Sequence, residues 1–228
     1  DNIRVVNATT SAQYFHLLRR QAALLISDPR PLVVMTPKSL LRNPAASSEL
    51  RDFVSGTFLT VLNDAINADN DAVTRLVLCS GKVGVDLDAS PLRSETKNVA
   101  VARVEQLAPF PKIALGKTLA LYPNLREIVW LQEEPKNMGA WAFMDPKLRE
   151  LAGGLPVRYI GRPERASPAE GAVDLHAIEQ KRIVSEAFEG APDIAQIETN
   201  GRKNGAKDHT KNGDAAETVE KKPAKSRS

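Results

Sequence analysis

Apolar residues in this chain gather into short unbroken runs rather than alternating with polar ones. Six runs, Ile3–Val6, Leu32–Met35, Leu76–Cys79, Val99–Val104, Ile128–Gln132 and Val157–Ile160, are rich in Val, Ile and Leu. Runs of that length are what strands covered on both faces produce. Between them the spacing becomes helical. Thr10 with Gln13 three residues on reads as a capping box, and Tyr14, Leu18, Ala22 and Leu25 then recur at helical intervals. His16, Arg19, Arg20 and Ala23 fall on the far, polar face of that helix. Asp28-Pro29-Arg30-Pro31 ends it, because proline lacks the amide donor and disfavours helix before it.

Three further helices are predicted: Ser48–Ser55, capped by Ser47 or Ser48 and closed by Gly56; Lys112–Leu121, stopped by Pro123; and Asp174–Phe188, with Ala177, Val184 and Phe188 on its apolar side. Strands alternating with helices predict an α/β fold, a mostly parallel sheet with helices on both faces. After Gly190 the aromatic and branched aliphatic residues give way to Lys, Asn, Gly, Asp, Glu and Ser. Such a stretch buries too little apolar surface to offset its ordering entropy, so residues 191–228 read as a disordered charged tail.

Composition changes this picture little. With 228 residues, 42% of them hydrophobic, the chain can fill a core without a disulfide or a metal. Its one cysteine, Cys79, has no internal partner, which suits a bacterial cytoplasm or a mitochondrial matrix. No apolar stretch approaches the roughly 20 residues of a membrane span, and Asp1–Val6 is not a signal peptide but an apolar run of the kind a cut chain would begin with. The net charge of +3 is mostly the tail's: residues 191–228 hold eight Lys and Arg against six Asp and Glu. A nearly neutral folded part predicts neither a nucleic-acid nor a membrane partner.

Candidate chemistry is sparse. Arg19, Arg20, Lys38 and Arg42 could converge on a phosphate-bearing effector, though no glycine-rich cradle accompanies them. His16 reads as a surface histidine. Cys79-Ser80-Gly81-Lys82 lacks the rest of a phosphate-loop pattern and reads as a strand-to-helix turn, with Cys79 as inert core. Glu133 and Glu134 sit at the carboxyl end of a predicted strand, where ligands collect in open α/β sheets, yet helix capping or a subunit bridge explains them as well. Trp130, Trp141, Phe143 and Tyr159 read as core or interface residues. His176 and His209 have no partners for a triad or a metal. Lys221–Ser228 reads as a solubilising end. No residue is predicted to be catalytic, cofactor-binding or metal-ligating.

Several longer words belong together: Ala12–Gln21 (AQYFHLLRRQ), Val34–Arg42 (VMTPKSLLR), Arg103–Pro111 (RVEQLAPFP), Gln132–Trp141 (QEEPKNMGAW) and Tyr159–Pro163 (YIGRP) with Ala166–Ala169 (ASPA) and His176. In this order the chain resembles the carboxy-terminal end of the E1 component of 2-oxoglutarate dehydrogenase, over roughly residues 3–189. That resemblance implies a transketolase-like architecture. Residues 1–37 would end the second thiamine-diphosphate-type α/β domain, and 38–190 would form the carboxy-terminal α/β domain. The complete enzyme would use thiamine diphosphate and Mg, work as a homodimer, decarboxylate 2-oxoglutarate and succinylate the lipoyl group of an E2 dihydrolipoyl succinyltransferase in the tricarboxylic acid cycle. The family's Gly-Asp-Gly motif is absent here, so the chain alone would bind no thiamine diphosphate, remain inactive, and serve as scaffold and dimer contact. The alternative is a stand-alone regulatory or docking module for a nucleotide or acyl-CoA effector. One departure stands out: Gly84-Val85 replaces a pair of tyrosines common in relatives, which weakens the case for a helix before Ser90-Pro91.

Overall fold

The computed structural model describes residues 2–67 and 69–192. Its order is β1 (Arg4–Val6), α1 (Ser11–Ala23), β2 (Leu32–Val34), α2 (Leu50–Val54), β3 (Val61–Leu62), β4 (Arg75–Cys79), α3 (Lys82–Asp88), α4 (Leu92–Glu95), β5 (Val99–Val104), β6 (Gln106–Ala108), α5 (Lys112–Leu119), β7 (Glu127–Pro135), α6 (Trp141–Leu151), β8 (Val157–Arg162) and α7 (Val173–Phe188). Short 3-10 turns lie at Lys38–Leu40, Pro44–Ala46 and Asn70–Ala72.

Two sheets form. The larger has five strands in the order β3-β5-β4-β7-β8, and the smaller has three, β2-β1-β6. In the larger sheet β4 pairs in parallel with β5 and β7, and β7 in parallel with β8; only β3, at the edge, runs antiparallel. This is the mostly parallel α/β sheet that the apolar runs predict. One face carries Leu76, Leu78, Ala100, Ile128 and Trp130 against Leu115 of α5 and Trp141, Met144 and Leu148 of α6. The other carries Val77, Cys79, Val101, Val129 and Leu131 against Val83 and Leu87 of α3 and Ile183, Ala187 and Phe188 of α7. All five residues of β4 are buried, which is why its sequence does not alternate.

The chain changes sheets at one residue. Strand β5 ends at Val104, β6 begins at Gln106, and Glu105 between them is fully buried. In the smaller sheet β1 is central, parallel to β2 and antiparallel to β6. Its small core is Val6, Leu17 and Phe58.

Several expectations need correction. Helix α1 buries Ala12, Gln13, His16 and Leu17, whereas Tyr14, Leu18 and Leu25 of the predicted apolar face are exposed. The polar residues can face inward because each has a fixed partner: Gln13 Nε2 donates to the Leu59 carbonyl at 2.7 Å, and His16 Nε2 lies 2.7 Å from the Asp52 carbonyl. His16 is therefore buried rather than a surface histidine. The second helix is shorter than predicted, and Glu49 with Asp52 forms its capping box in place of a serine. The segment before Ser90 is helical after all, since Gly84 lets α3 lie against Arg103, whose side chain a Cβ at that position would strike. Helix α6 and strands β3 and β6 were not predicted.

Arg75, 1% exposed, holds the end of the last helix. Its guanidinium donates to the carbonyls of Ala187, Glu189 and Gly190 at 2.7–3.0 Å while pairing with Glu127. Ala191 and Pro192 still belong to the packed body, for Ala191 packs on the core and the Pro192 carbonyl accepts from Thr74 Oγ1. The rest of the expected tail, with His209 and Lys221–Ser228, lies outside the described residues. Among the described residues no helix is long and apolar enough to cross a membrane.

Candidate functional site

Strand β4 lies in the middle of the larger sheet; the chain passes from it to β5 on one side and then, through β6 and α5, returns to β7 on its other side. In an open α/β sheet this reversal opens a crevice outside the carboxyl ends of the two diverging strands. Here it lies between Ser80-Gly81-Lys82, just past β4, and Gln132-Glu133-Glu134 in β7.

The two acids part company at once, because adjacent strand residues point to opposite faces. Glu133 turns toward α3, where Lys82 Nζ reaches its Oε1 at 3.2 Å and Asp86 Oδ2 at 2.5 Å. Burial works against the Lys82 ammonium, but its hydrogen bond and charge pairing with Asp86 and Glu133 more than offset it, and the amine is held above its usual value. A lysine so paired is no general base. The Glu134 side chain is exposed, and its backbone carbonyl accepts from Tyr159 Oη at 3.1 Å. Gln132, by contrast, is saturated. Its Oε1 accepts from Trp130 Nε1 and from the backbone amides of Ala140 and Trp141 at 2.9–3.2 Å. Its Nε2 donates to the carbonyls of Glu134, Pro135 and Met138 at 2.8–3.3 Å. The QEEPKNMGAW word is thus a clamp that fixes the loop and the start of α6, and Gly139 (φ 64°) is needed there because a Cβ would crowd the Gln132 amide.

Beneath the clamp a cavity of about 410 Å³ opens between the sheets, lined among others by Val5, Asn7, Ser80, Leu107, Trp130 and Phe143. A second, larger cavity of about 740 Å³ lies at the amino end of α1, lined among others by Thr9, Thr10, Ser11, Tyr14, Lys38 and Arg42. Of the four basic residues singled out from sequence, Lys38 and Arg42 border this space. Arg19 instead donates to the Gly56 carbonyl at 2.6 Å, and Arg20 to Gln106 Oε1 at 2.7 Å while stacking 4.2 Å over the Phe58 ring.

Two further clusters remain, the first of which reaches the larger cavity through Thr9. Glu105 accepts from the Thr9 amide at 2.9 Å, the Thr9 hydroxyl at 2.5 Å and Gln13 Nε2 at 3.4 Å. Burial pushes its carboxyl up, and Thr9's two donors oppose that without cancelling it. On the opposite edge Arg162 donates to both oxygens of Glu170 at 2.9–3.0 Å and lies 3.2 Å from His176 Nδ1. The Arg162 hydrogen bonds hold the Glu170 carboxyl down at about 2. His176 thus has partners in an ion-pair strap and not in a nucleophile–base array. Cys79 is fully buried and its thiol is pushed far up by burial, which makes it inert. Among the described residues no three His, Cys, Asp or Glu side chains are grouped to hold a metal.

Comparison with known proteins places this arrangement. The family described as 2-oxoglutarate dehydrogenase C-terminal matches residues 47–188. The 2-oxoglutarate dehydrogenase E1 component of Shouchella clausii is 48% identical over 193 residues, that of Geobacillus kaustophilus 50% over 188, and that of Bacillus subtilis 49% over 193. These alignments cover 81–82% of this chain and 20% of each relative, so the chain spans about a fifth of their length. In fold it is similar to a split-gene transketolase described as an inactive β4 tetramer, with a TM-score of 0.55 at 15% identity, over 83% of this chain and 57% of that one. The match across the larger sheet and its helices shows that the chain belongs to the 2-oxoglutarate dehydrogenase C-terminal family.

Proposed function

We propose that this chain is the carboxy-terminal portion of a 2-oxoglutarate dehydrogenase E1 and contributes scaffold and dimer contacts rather than chemistry. The complete protein would decarboxylate 2-oxoglutarate oxidatively and pass the succinyl group to the lipoyl arm of an E2 succinyltransferase. In that protein thiamine diphosphate with Mg would supply the electron sink for loss of carbon dioxide. The described residues do not fit that group: Glu133 is paired with Lys82, Gln132 is saturated, and no metal-ligating cluster is present among them. No step is therefore assigned to them. Residues 1–37 are read as the end of a preceding domain and 38–190 as the carboxy-terminal domain.

The observation that supports a contact role is the set of apolar side chains left exposed on the smaller sheet, on its helix and just beyond them. Phe15, Leu18, Leu25, Ile26, Val33 and Met35 are between 41% and 96% exposed. Large apolar side chains exposed in this number suit a surface that another part or another copy covers. The test is a graft. This chain replaces the matching segment of the Bacillus subtilis E1, and carbon dioxide release from 2-oxoglutarate and oligomeric state are measured beside a truncation lacking the segment. The graft is expected to be dimeric and active, and the truncation inactive. A dimeric graft without activity, or a fully active truncation, overturns the reading.

A second reading is favoured by Lys38 and Arg42 at the larger cavity: a nucleotide or acyl-CoA effector whose phosphates meet those two cations and the Thr10 and Ser11 hydroxyls. Titration with AMP and with acetyl-CoA should move the Lys38 and Arg42 amide signals, and R42A should weaken binding about tenfold. Silence at both residues removes this reading.

A further inference from the structure

The larger sheet has two edges, and they differ in length. On one side it ends in β3, two residues long; on the other it ends in β8, which runs for six residues and among the described residues pairs with β7 alone. Val157, Tyr159 and Ile160 also favour extended backbone. An edge of this length and composition is a ready template for a further strand.

The register fixes which backbone groups of β8 are open. The Ile128 amide donates to the Pro156 carbonyl at 2.9 Å, and the Lys136 amide to the Arg162 carbonyl at 3.1 Å. Backbone groups alternate in direction along a strand, so those of Val157, Tyr159 and Gly161 point away from β7. Two of these three carbonyls are already taken by side chains. Arg149 Nη2 donates to the Val157 carbonyl at 3.2 Å, and Arg182 Nη2 to the Gly161 carbonyl at 3.0 Å. The two arginines arrive from opposite sides, since α6 packs on one face of the sheet and α7 on the other. Each is held by carboxylates of its own helix. Arg149 Nε donates to Asp145 Oδ1 at 2.7 Å, and Arg182 donates to Glu186 Oε2 at 2.8 Å and Glu179 Oε2 at 2.9 Å. Between them the Tyr159 amide and carbonyl have no partner among the described residues.

The spacing also says what the arginines exclude. Antiparallel strands exchange both hydrogen bonds at every second pair of facing residues. A second β8 laid antiparallel and centred on Tyr159 would set tyrosine against tyrosine and Val157 against the second copy's Gly161, where no side chain obstructs it. Arg158 would face Ile160, so no two charges of one sign would oppose each other. The strand is thus compatible with its own copy in this register, and the flanking pairs need the two carbonyls that Arg149 and Arg182 occupy. We propose that these two arginines clasp the free edge of β8 and keep two copies of this chain from joining their larger sheets there. The clasp does not depend on the contact role proposed for the smaller sheet.

The test compares the 228-residue chain with R149A/R182A and with K147A/K181A, which removes two positive charges from the same helices. Association is followed by light scattering over a concentration series, and pairing at the edge by hydrogen exchange of the Tyr159 amide. The Arg149 and Arg182 side chains are 55% and 40% exposed, so their loss leaves both cores filled. R149A/R182A is expected to self-associate at a concentration roughly tenfold lower than the parent, with Tyr159 exchange slowing as concentration rises. K147A/K181A should match the parent. Each single variant frees one end of the edge and should fall between, and by the same two readings the single variants decide the matter if the double variant does not fold. The proposal is overturned if the double variant associates no more readily than the parent, or if the lysine control associates as strongly. Association that leaves Tyr159 exchange unchanged overturns it as well, because the copies would then meet elsewhere.

Discussion

The two sheets solve the same problem differently. The larger is covered on both faces and closes two cores, one under α5 and α6 and one under α3 and α7. The smaller has a core of Val6, Leu17 and Phe58 beneath α1, while β2 leaves Val33 41% exposed and Met35 lies 49% exposed just beyond it. What it lacks in apolar burial it replaces with polar fastenings: Glu105 to Thr9 and Gln13, Arg20 to Gln106, and Arg4 to Asp28. Directional bonds fix register and orientation well but contribute about 1 kcal/mol each, whereas a buried leucine is worth two or three times that. The larger sheet is stable through what it buries. The smaller is placed through what it bonds, and it leaves apolar side chains exposed.

One pair of substitutions should expose this difference most strongly. L78A and L17A delete the same atoms from fully buried positions, Leu78 at 1% and Leu17 at 0% exposure. In the larger core the hole is walled by two sheet neighbours and two helices and cannot collapse, so L78A should cost toward the upper end of the roughly 2–5 kcal/mol typical of such deletions. Around Leu17 the partners are few, and relaxation or water should hold the loss nearer the lower end. Denaturant unfolding followed at Trp130 and by backbone circular dichroism separates two outcomes. Coincident curves for both variants mean one cooperative body. An early transition in L17A seen by circular dichroism and not at Trp130 means the smaller sheet opens on its own. Equal losses with coincident curves would remove the comparison.

The contrast also explains what could be read in advance. Strands β4, β5, β7 and β8 were legible because burial on both faces forces continuous apolar runs. The edge strand β3, two residues long, and β6, which begins where the chain leaves the larger sheet, have no pattern long enough to see. Helix α6 hid behind Pro146, although Trp141, Met144 and Leu148 follow helical spacing. Helix α1 was placed correctly and turned the wrong way. Its inward face includes Gln13 and His16, whose partners at Leu59 and Asp52 no local pattern reveals, and its outward face is the apolar one. The candidate site was legible only as a location. The carboxyl ends of the strands were the place to look, but the predicted acid pair is split between faces, and the cavity lining of Asn7 and Ser80 joins residues that are far apart in the chain.

The smallest expected effect concerns two carboxyls that answer to pH in opposite directions. Glu170, fastened by Arg162 beside the larger sheet, has its carboxyl depressed to about 2. Its stabilisation is fully present above the ordinary carboxylate value of about 4.3 and is lost as the pH falls from there through about 2. Glu105, at the junction with the smaller sheet, has its carboxyl raised because burial outweighs the donors of Thr9. It therefore favours the folded state most at low pH, and that contribution declines as the pH rises above the unfolded value. Acidification should release the strap of residues 163–170 while the junction at Thr9 and Glu105 stays fastened. Amide signals followed down to about pH 2 would show this, with the strap titrating well below 4.3 and E170Q removing the dependence. E105Q should flatten the opposing slope on the alkaline side. A strap that titrates at the ordinary carboxylate value would mean that the Arg162 pairing is loose in solution. The two edges of the molecule would then differ in packing but not in how firmly their charges are held.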